Sequence, residues 1–285
     1  MNELAQSVSL KKLPVLSTIR ETLQVFWQHR KVLALWIVGC TIFSGSFCYL
    51  MENLFAHFSW VYAGWRPIWV RVFFIFLAAI PLSMVGAMFS VFCHRLVLMG
   101  GENESLFAIS FGKRGWRFIG WEWFLSLATI LIVFLVIIVS AFGIGFLSII
   151  FESYENFDLI RAIVDNYLFT VLFYGVGSYA LAGYCLVLPA TALDLKPSLA
   201  WSSEKTEGNE LRLALLFGGL PFIFGFLYCP PSLLTWLQID HLMGVKHVVR
   251  PFLVYMVTPI VVIAISIAFR ELTNWTPSSQ LHEST

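Results

Sequence analysis

The sequence predicts an all-α, polytopic helical membrane protein with six transmembrane helices, and three observations carry that prediction. Of 285 residues, 59% are hydrophobic and only 12% charged, at a mean hydropathy of +0.80. Soluble domains run at about 45–50% apolar and about 25% charged, so the chain lacks the polar side chains that a water-facing surface of its size needs. Second, six stretches are uncharged and apolar over roughly the 20 residues that a helix needs to cross hydrocarbon. None alternates in polarity as the strands of a membrane barrel do. Third, Lys and Arg are divided unevenly between alternate sides of these stretches. The net charge of +1 implies no bulk electrostatic partner and argues against nucleic acid. A soluble enzyme, a fibre and a disordered chain are excluded by the same composition.

Residues 1–31 form an N-terminal segment that leads into the spans. Leu16, Ile19, Leu23, Phe26 and Trp27 recur at helical spacing, with Ser17, Arg20, Glu21, Gln24 and Gln28 opposite them. That pattern predicts an amphipathic helix in the headgroup layer. The first span is Val32 to Leu50. Small residues at Ser44, Gly45 and Ser46 resemble a signal-peptide cleavage site, but the apolar run continues past them and five more spans follow, so it reads as an uncleaved anchor. Val72 to Cys93 is the second span.

The inner segment from His94 to Glu122 places Phe107, Phe111 and Phe118 on one face and Ser110, Lys113, Arg114 and Arg117 on the other. A third span, Trp123 to Phe151, carries Gly143 and Gly145 as bending points. In the fourth, Tyr167 to Leu193, the small residues Gly175, Ser178 and Ala182 recur at i, i+3 and i+7. Such a stripe lets two helix backbones approach closely; a narrow pore lined by backbone is the alternative. The fifth span starts at Leu213 and reaches at least Tyr228, with Gly218, Gly219 and Pro221 loosening it. Phe252 to Phe269 is the sixth. Residues 32–271 thus form the membrane domain, and the polar tail, residues 272–285, is expected to be disordered.

Thirteen of the 18 Lys and Arg residues lie on the side that holds both termini. The positive-inside rule therefore places both termini in the cytoplasm of a multi-pass protein of the cell inner membrane. Trp60, Trp65 and Trp69 mark the outer boundary, and Trp116, Trp121 and Trp123 the inner one.

Three inner segments look like one repeated unit of surface helix plus two-span hairpin. They are Phe26-Trp-Gln-His-Arg-Lys-Val-Leu33, Phe111-Gly-Lys-Arg-Gly-Trp-Arg-Phe118 and Thr206-Glu-Gly-Asn-Glu-Leu-Arg-Leu213. The alternative is that any inner loop ahead of a span is basic and aromatic. Together with His94-Arg-Leu-Val-Leu-Met-Gly100 and Ser198-Leu-Ala-Trp201, the second and third segments resemble a pattern of uncharacterised bacterial six-span inner-membrane proteins. That family is similar to the membrane domain attached to some glycerophosphodiester phosphodiesterases. The resemblance implies a fold and a membrane; this chain has no phosphodiesterase domain, so it implies no reaction.

Chemistry is sparse at the sequence level. No ionisable side chain is expected deep in a span, which weighs against ion-coupled transport. His241 and His247, with Asp240 nearby, are too far apart in register to share a helix face as metal ligands. Cys40, Cys48, Cys93, Cys185 and Cys229 include no close pair, although Cys48 and Cys229 share the outer edge, where one disulfide is weakly supported. No nucleophile elbow or phosphate-binding glycine loop is present, so no catalytic residue and no cofactor is assigned. The polar residues that remain, His94, Arg95, Lys113, Arg114 and Arg117, point to anionic lipid headgroups at the cytoplasmic face, though simple anchoring explains an interfacial Arg as well. A non-enzymatic scaffold or lipid-interacting accessory factor is the leading expectation. A channel or transporter for a neutral or amphiphilic solute comes second and a lipid-modifying enzyme third. Reporter fusions after Gly100 and Pro197 should read cytoplasmic and a fusion at Glu155 external; a cytoplasmic signal at Glu155 would overturn the six-span topology.

Overall fold

The computed structural model describes residues 11–61, 68–100, 112–151, 173–219, 221 and 243–276. All regular structure among them is helical. Four long helices dominate: α2 (Arg30–Val61), α3 (Ile68–Leu98), α4 (Lys113–Phe151) and α9 (Met243–Thr273). Each contains a stretch long and apolar enough to cross a membrane, namely Arg30–His57, Leu77–Leu98, Lys113–Val136 and His247–Thr273. These four helices cover the expected first, second, third and sixth spans; three run past both expected limits, and α4 starts ten residues early and ends at Phe151 as expected. The fourth and fifth expected spans are described only in part, because residues 152–172 and 222–242 lie outside the described residues. Their described portions are a π turn at Phe173–Gly177, α5 (Ser178–Ala182), α6 (Val187–Ala192), α8 (Glu210–Ala214) and a second π turn at Leu215–Gly219. The Cys48 thiol is free, and Cys229 lies outside the described residues.

The amphipathic N-terminal segment is α1 (Val15–Gln28). Pro14 stands at its N-cap, where the missing N–H costs nothing, and its carbonyl accepts from Thr18 N at 3.0 Å and from the hydroxyls of Ser17 and Thr18. A single residue, His29, separates α1 from α2; Arg30 reaches back over the Trp27 ring at 4.7 Å. The expected apolar face is divided. Ile19 and Phe26 turn inward with the buried Thr18 and Thr22, while Leu16, Leu23 and Trp27 stay exposed. With Arg20, Gln24 and Gln28 on the third side, α1 has a bundle face, an apolar outer face and a polar face. Glu21 pairs with Arg270 at 2.6 Å and Lys11 with Glu271 at 3.0 Å, which ties α1 to the C-terminal end of α9.

The second expected surface helix is corrected. Residues 107–111 lie outside the described residues, but Lys113 to Phe118 belong to α4, and Phe118 is buried against α3 rather than laid on a surface. The third is α7 (Leu199–Thr206), capped by the Ser198 hydroxyl accepting from Trp201 N.

The axis of the bundle is α9, with 61% of its apolar stretch buried against 22–39% for the other three. It packs on α1, α2 and α3. Trp36 stacks on Phe89 and Phe92 at 5.8 and 5.4 Å, beside Leu33, Ile263 and Ile267. A second cluster joins Leu13, Leu186, Leu213 and Leu216 to Phe269. The outward faces of α2 and α4, including Leu35, Phe43, Leu50, Leu127, Leu131 and Phe134, are exposed and apolar, as a lipid-facing surface requires.

Among the described glycines the tightest contact is at Gly45. A Cβ there would stand 2.5 Å from the His247 carbonyl oxygen of α9, a backbone atom that cannot swing away. Gly45→Ala should therefore separate α2 from α9 and cost about 1–3 kcal/mol of stability, as overpacking does. Gly39→Ala, on an open face of the same helix, should melt in detergent at or above the parent temperature. Equal melting of the two variants would show that the contact at Gly45 does not hold the bundle.

Candidate functional site

A cavity of about 680 Å³ lies between α2, α3, α4 and α9. Its polar lining follows from helical period. Ser44, Cys48 and Glu52 on α2 stand at i, i+4 and i+8, so one face carries all three. On α3 the set is Ser83, Gly86 and Ser90, at i, i+3 and i+7. On α9 it is His247, Pro251, Tyr255 and Thr258. Glu122 comes from α4, and Leu82 and Val254 supply apolar wall. At 1.5 Å per residue the lining of α9 spans about 16 Å, roughly half the thickness of a hydrocarbon layer.

Two polar pairs hold α2 to α9 along this wall. Ser44 Oγ and Tyr255 Oη are 2.8 Å apart in a buried hydrogen bond. At the end remote from α1, Glu52 accepts from His247 Nε2 at 2.6 Å, and Tyr49 meets the His247 ring edge-on at 5.7 Å. The Glu52 carboxylate is half exposed, so this end reaches the surface. Glu122 is different. Its Oε2 is buried and has no hydrogen-bond partner among the described residues. It lies nine residues inside α4, within the apolar stretch that begins at Lys113. The apolar stretch of α4 starts ahead of the expected third span and so includes Glu122. Glu122 is followed by Trp123, so the sequence places it at the boundary, whereas α4 begins ten residues before Trp123. The polar stripes at helical spacing on α2, α3 and α9 are the signal that would have found the cavity.

His94 is a second correction. Its ring is 1% exposed, lies 5.8 Å from Phe118 and bonds through Nδ1 to Ser266 Oγ at 2.7 Å. Ser266 donates its own proton to Val262 O at 2.8 Å, so its oxygen accepts from His94 Nδ1–H. A ring so enclosed does not meet a headgroup, and a serine in that role is not an activated nucleophile. Arg95 reaches the Ala192 carbonyl at 3.4 Å.

Arg114 and Arg117 both reach Asp194, Arg114 in direct contact and Arg117 at 3.7 Å, while Lys113 is exposed. Asp194 follows α6 at a φ of 66°, with Leu195 N bonded to Ala190 O and Asp194 N to Thr191 O. That closing motif favours Gly or Asn. An Asp there accepts some backbone strain and presents a carboxylate to both guanidiniums. The expected phosphate partner of these two residues thus has a protein competitor.

The small-residue stripe holds in part. Ser178 and Ala182 are buried, but Gly175 is exposed and a Cβ on it meets nothing within 4 Å. The close contact is at Gly177, where a Cβ would come within 2.8 Å of the Thr129 methyl of α4. The contacting face is therefore Gly177, Ser178 and Ala182.

Among the described residues no group of three His, Cys, Asp or Glu side chains is placed to hold a metal ion; His241 lies outside them. Comparison of the chain with known protein families, curated proteins and solved structures yields no match. The resemblance noted above rests on its motifs alone. Asp194→Asn keeps the strained turn accessible and releases Arg114 and Arg117. It should raise the retention of anionic lipid in native mass spectrometry, and Arg114→Gln with Arg117→Gln should lower it. If neither variant changes retention, the three residues form a structural clamp only.

Proposed function

We propose that this chain is a six-span protein of the cell inner membrane, with both termini cytoplasmic, whose bundle binds a small polar or amphiphilic solute for passage across the membrane. The observation that carries the reading is a cavity whose wall sets polar side chains beside apolar ones, within helices that are otherwise apolar. Buried polar surface in a membrane span is expensive and is found where a substrate or water is handled. The chamber's volume falls within the range of about 300–1,000 Å³ typical of small-molecule sites. The distribution of Lys and Arg supports the orientation. Lys11, Arg95, Arg114, Arg212 and Arg270 all take part in contacts at the end of the bundle where α1 lies, consistent with one basic face.

A second reading, a lipid-interacting accessory factor, is favoured by a separate observation. Leu16, Leu23 and Trp27 form an exposed apolar stripe on α1 beside Arg20, the arrangement of a helix seated in a headgroup layer. The two readings concern different surfaces and do not compete.

Gly86 provides the test. It lines the chamber, and a Cβ built on it meets nothing within 4 Å, so Gly86→Phe should fill the space without breaking the fold. In a thermal-shift screen of small polar and amphiphilic solutes, some should stabilise the parent by about 2–3 kcal/mol at a hundredfold excess over Kd. The variant should keep the basal melting temperature and lose that stabilisation. A screen without any stabilising solute, or equal stabilisation of both proteins, would overturn the reading.

A further inference from the structure

We infer that the solute is an organic ammonium ion with an apolar body, and that Glu122 binds its charge; this rests on the reading of the chamber as a solute site. Among the described residues the lining contains two carboxylates, Glu52 and Glu122, and neither Lys nor Arg. Glu52 is already satisfied by His247 at 2.6 Å. Glu122 has a buried oxygen with no partner among the described residues, and a buried anion without a partner is costly. A donor carrying positive charge is the partner such a group lacks. The space beside it is too large for a bare ion, and one carboxylate falls far short of the six to eight oxygens that a calcium ion takes. Leu82, Pro251 and Val254 in the same wall offer contact to an apolar skeleton, while the hydroxyls of Ser90 and Thr258 can accept the remaining ammonium protons. An amphiphilic amine matches both kinds of surface.

Phenethylamine and 2-phenylethanol share a skeleton and differ in charge at neutral pH, so their binding to the full chain in detergent isolates the role of Glu122. The amine should bind the parent at least about tenfold more tightly than the alcohol. In Glu122→Gln, which keeps the shape and removes the charge, that advantage should vanish while the affinity for the alcohol is unchanged. Glu122→Asp, which keeps the charge, should retain most of it and serves if the Gln variant fails to fold. An equal preference in Glu122→Gln would mean that a proton already satisfies the carboxyl, and would overturn the inference. So would the absence of any amine preference in the parent. Binding of the alcohol that Gly86→Phe abolishes, without an amine preference, would leave the solute chamber standing and remove only the cation from it.

Discussion

The contact of α2 with the α9 backbone at Gly45 sets the geometry on which the rest of the bundle depends. A glycine at that point lets the two helices meet with nothing between them, and close backbone approach is the main adhesive when the surrounding solvent is itself apolar. Polar pairs lie on either side of the contact: Ser44 with Tyr255, and Glu52 with His247. Both bonds lie along the face on which the two helices meet. On the other side of the same wall, α3 presents Ser83, Gly86 and Ser90, none of which has the bulk to fill the space. The chamber thus follows from one tight contact and one face of small residues.

The end of the bundle near α1 is organised by side chains acting over long sequence distances. Asn209, buried just ahead of α8, accepts from Leu13 N at 2.8 Å and donates to Lys11 O at 3.0 Å, as a neighbouring strand would. Arg212 adds a bond to Leu13 O at 3.0 Å. These contacts satisfy backbone groups ahead of α1 that would otherwise be buried unpaired. They also fix the point from which α1 starts along α9. Asp194 does the same for α4 through Arg114 and Arg117. The basic residues that read as an orientation signal in the sequence are therefore also clamps in the fold.

Composition and hydropathy made the helical class and the four long helices legible, because a run of uncharged apolar residues has few other structures open to it. The helix ends were not legible. The first turns of α4 carry Lys113, Arg114 and Arg117, and a hydropathy argument stops at such charges even where the helix does not. That difference in helix starts left Glu122 outside the expected span and put Phe118 on a surface. The ambiguity at Gly175 and Gly177 has another origin: the π turn at Phe173–Gly177 shifts the register, so a stripe counted at regular helical spacing selects the wrong glycine. For His94, proximity to Arg95 suggested an interface, and only the partner helix carrying Ser266 shows that the two adjacent side chains face different surroundings.

The two ends of the chamber differ, and on the proposed reading the difference gives the site a direction. Toward α1, the floor is packed: Leu33, Phe118, Ile263 and Ile267 are each at most 1% exposed, on three different helices. Exposing one such side chain to water costs about 1.5–3 kcal/mol, and a passage through the floor would expose several at once. At the opposite end the barrier is the Glu52–His247 pair, and a partly exposed ion pair contributes about 0–1 kcal/mol. Parting it requires side-chain rotation and no change in helix packing. On the proposed reading, a solute would enter past Glu52 and His247 and stop above the packed floor. Movement beyond that point would need α3 or α4 to shift against α9, and the Gly45 contact would keep α2 and α9 together as the fixed half of the bundle.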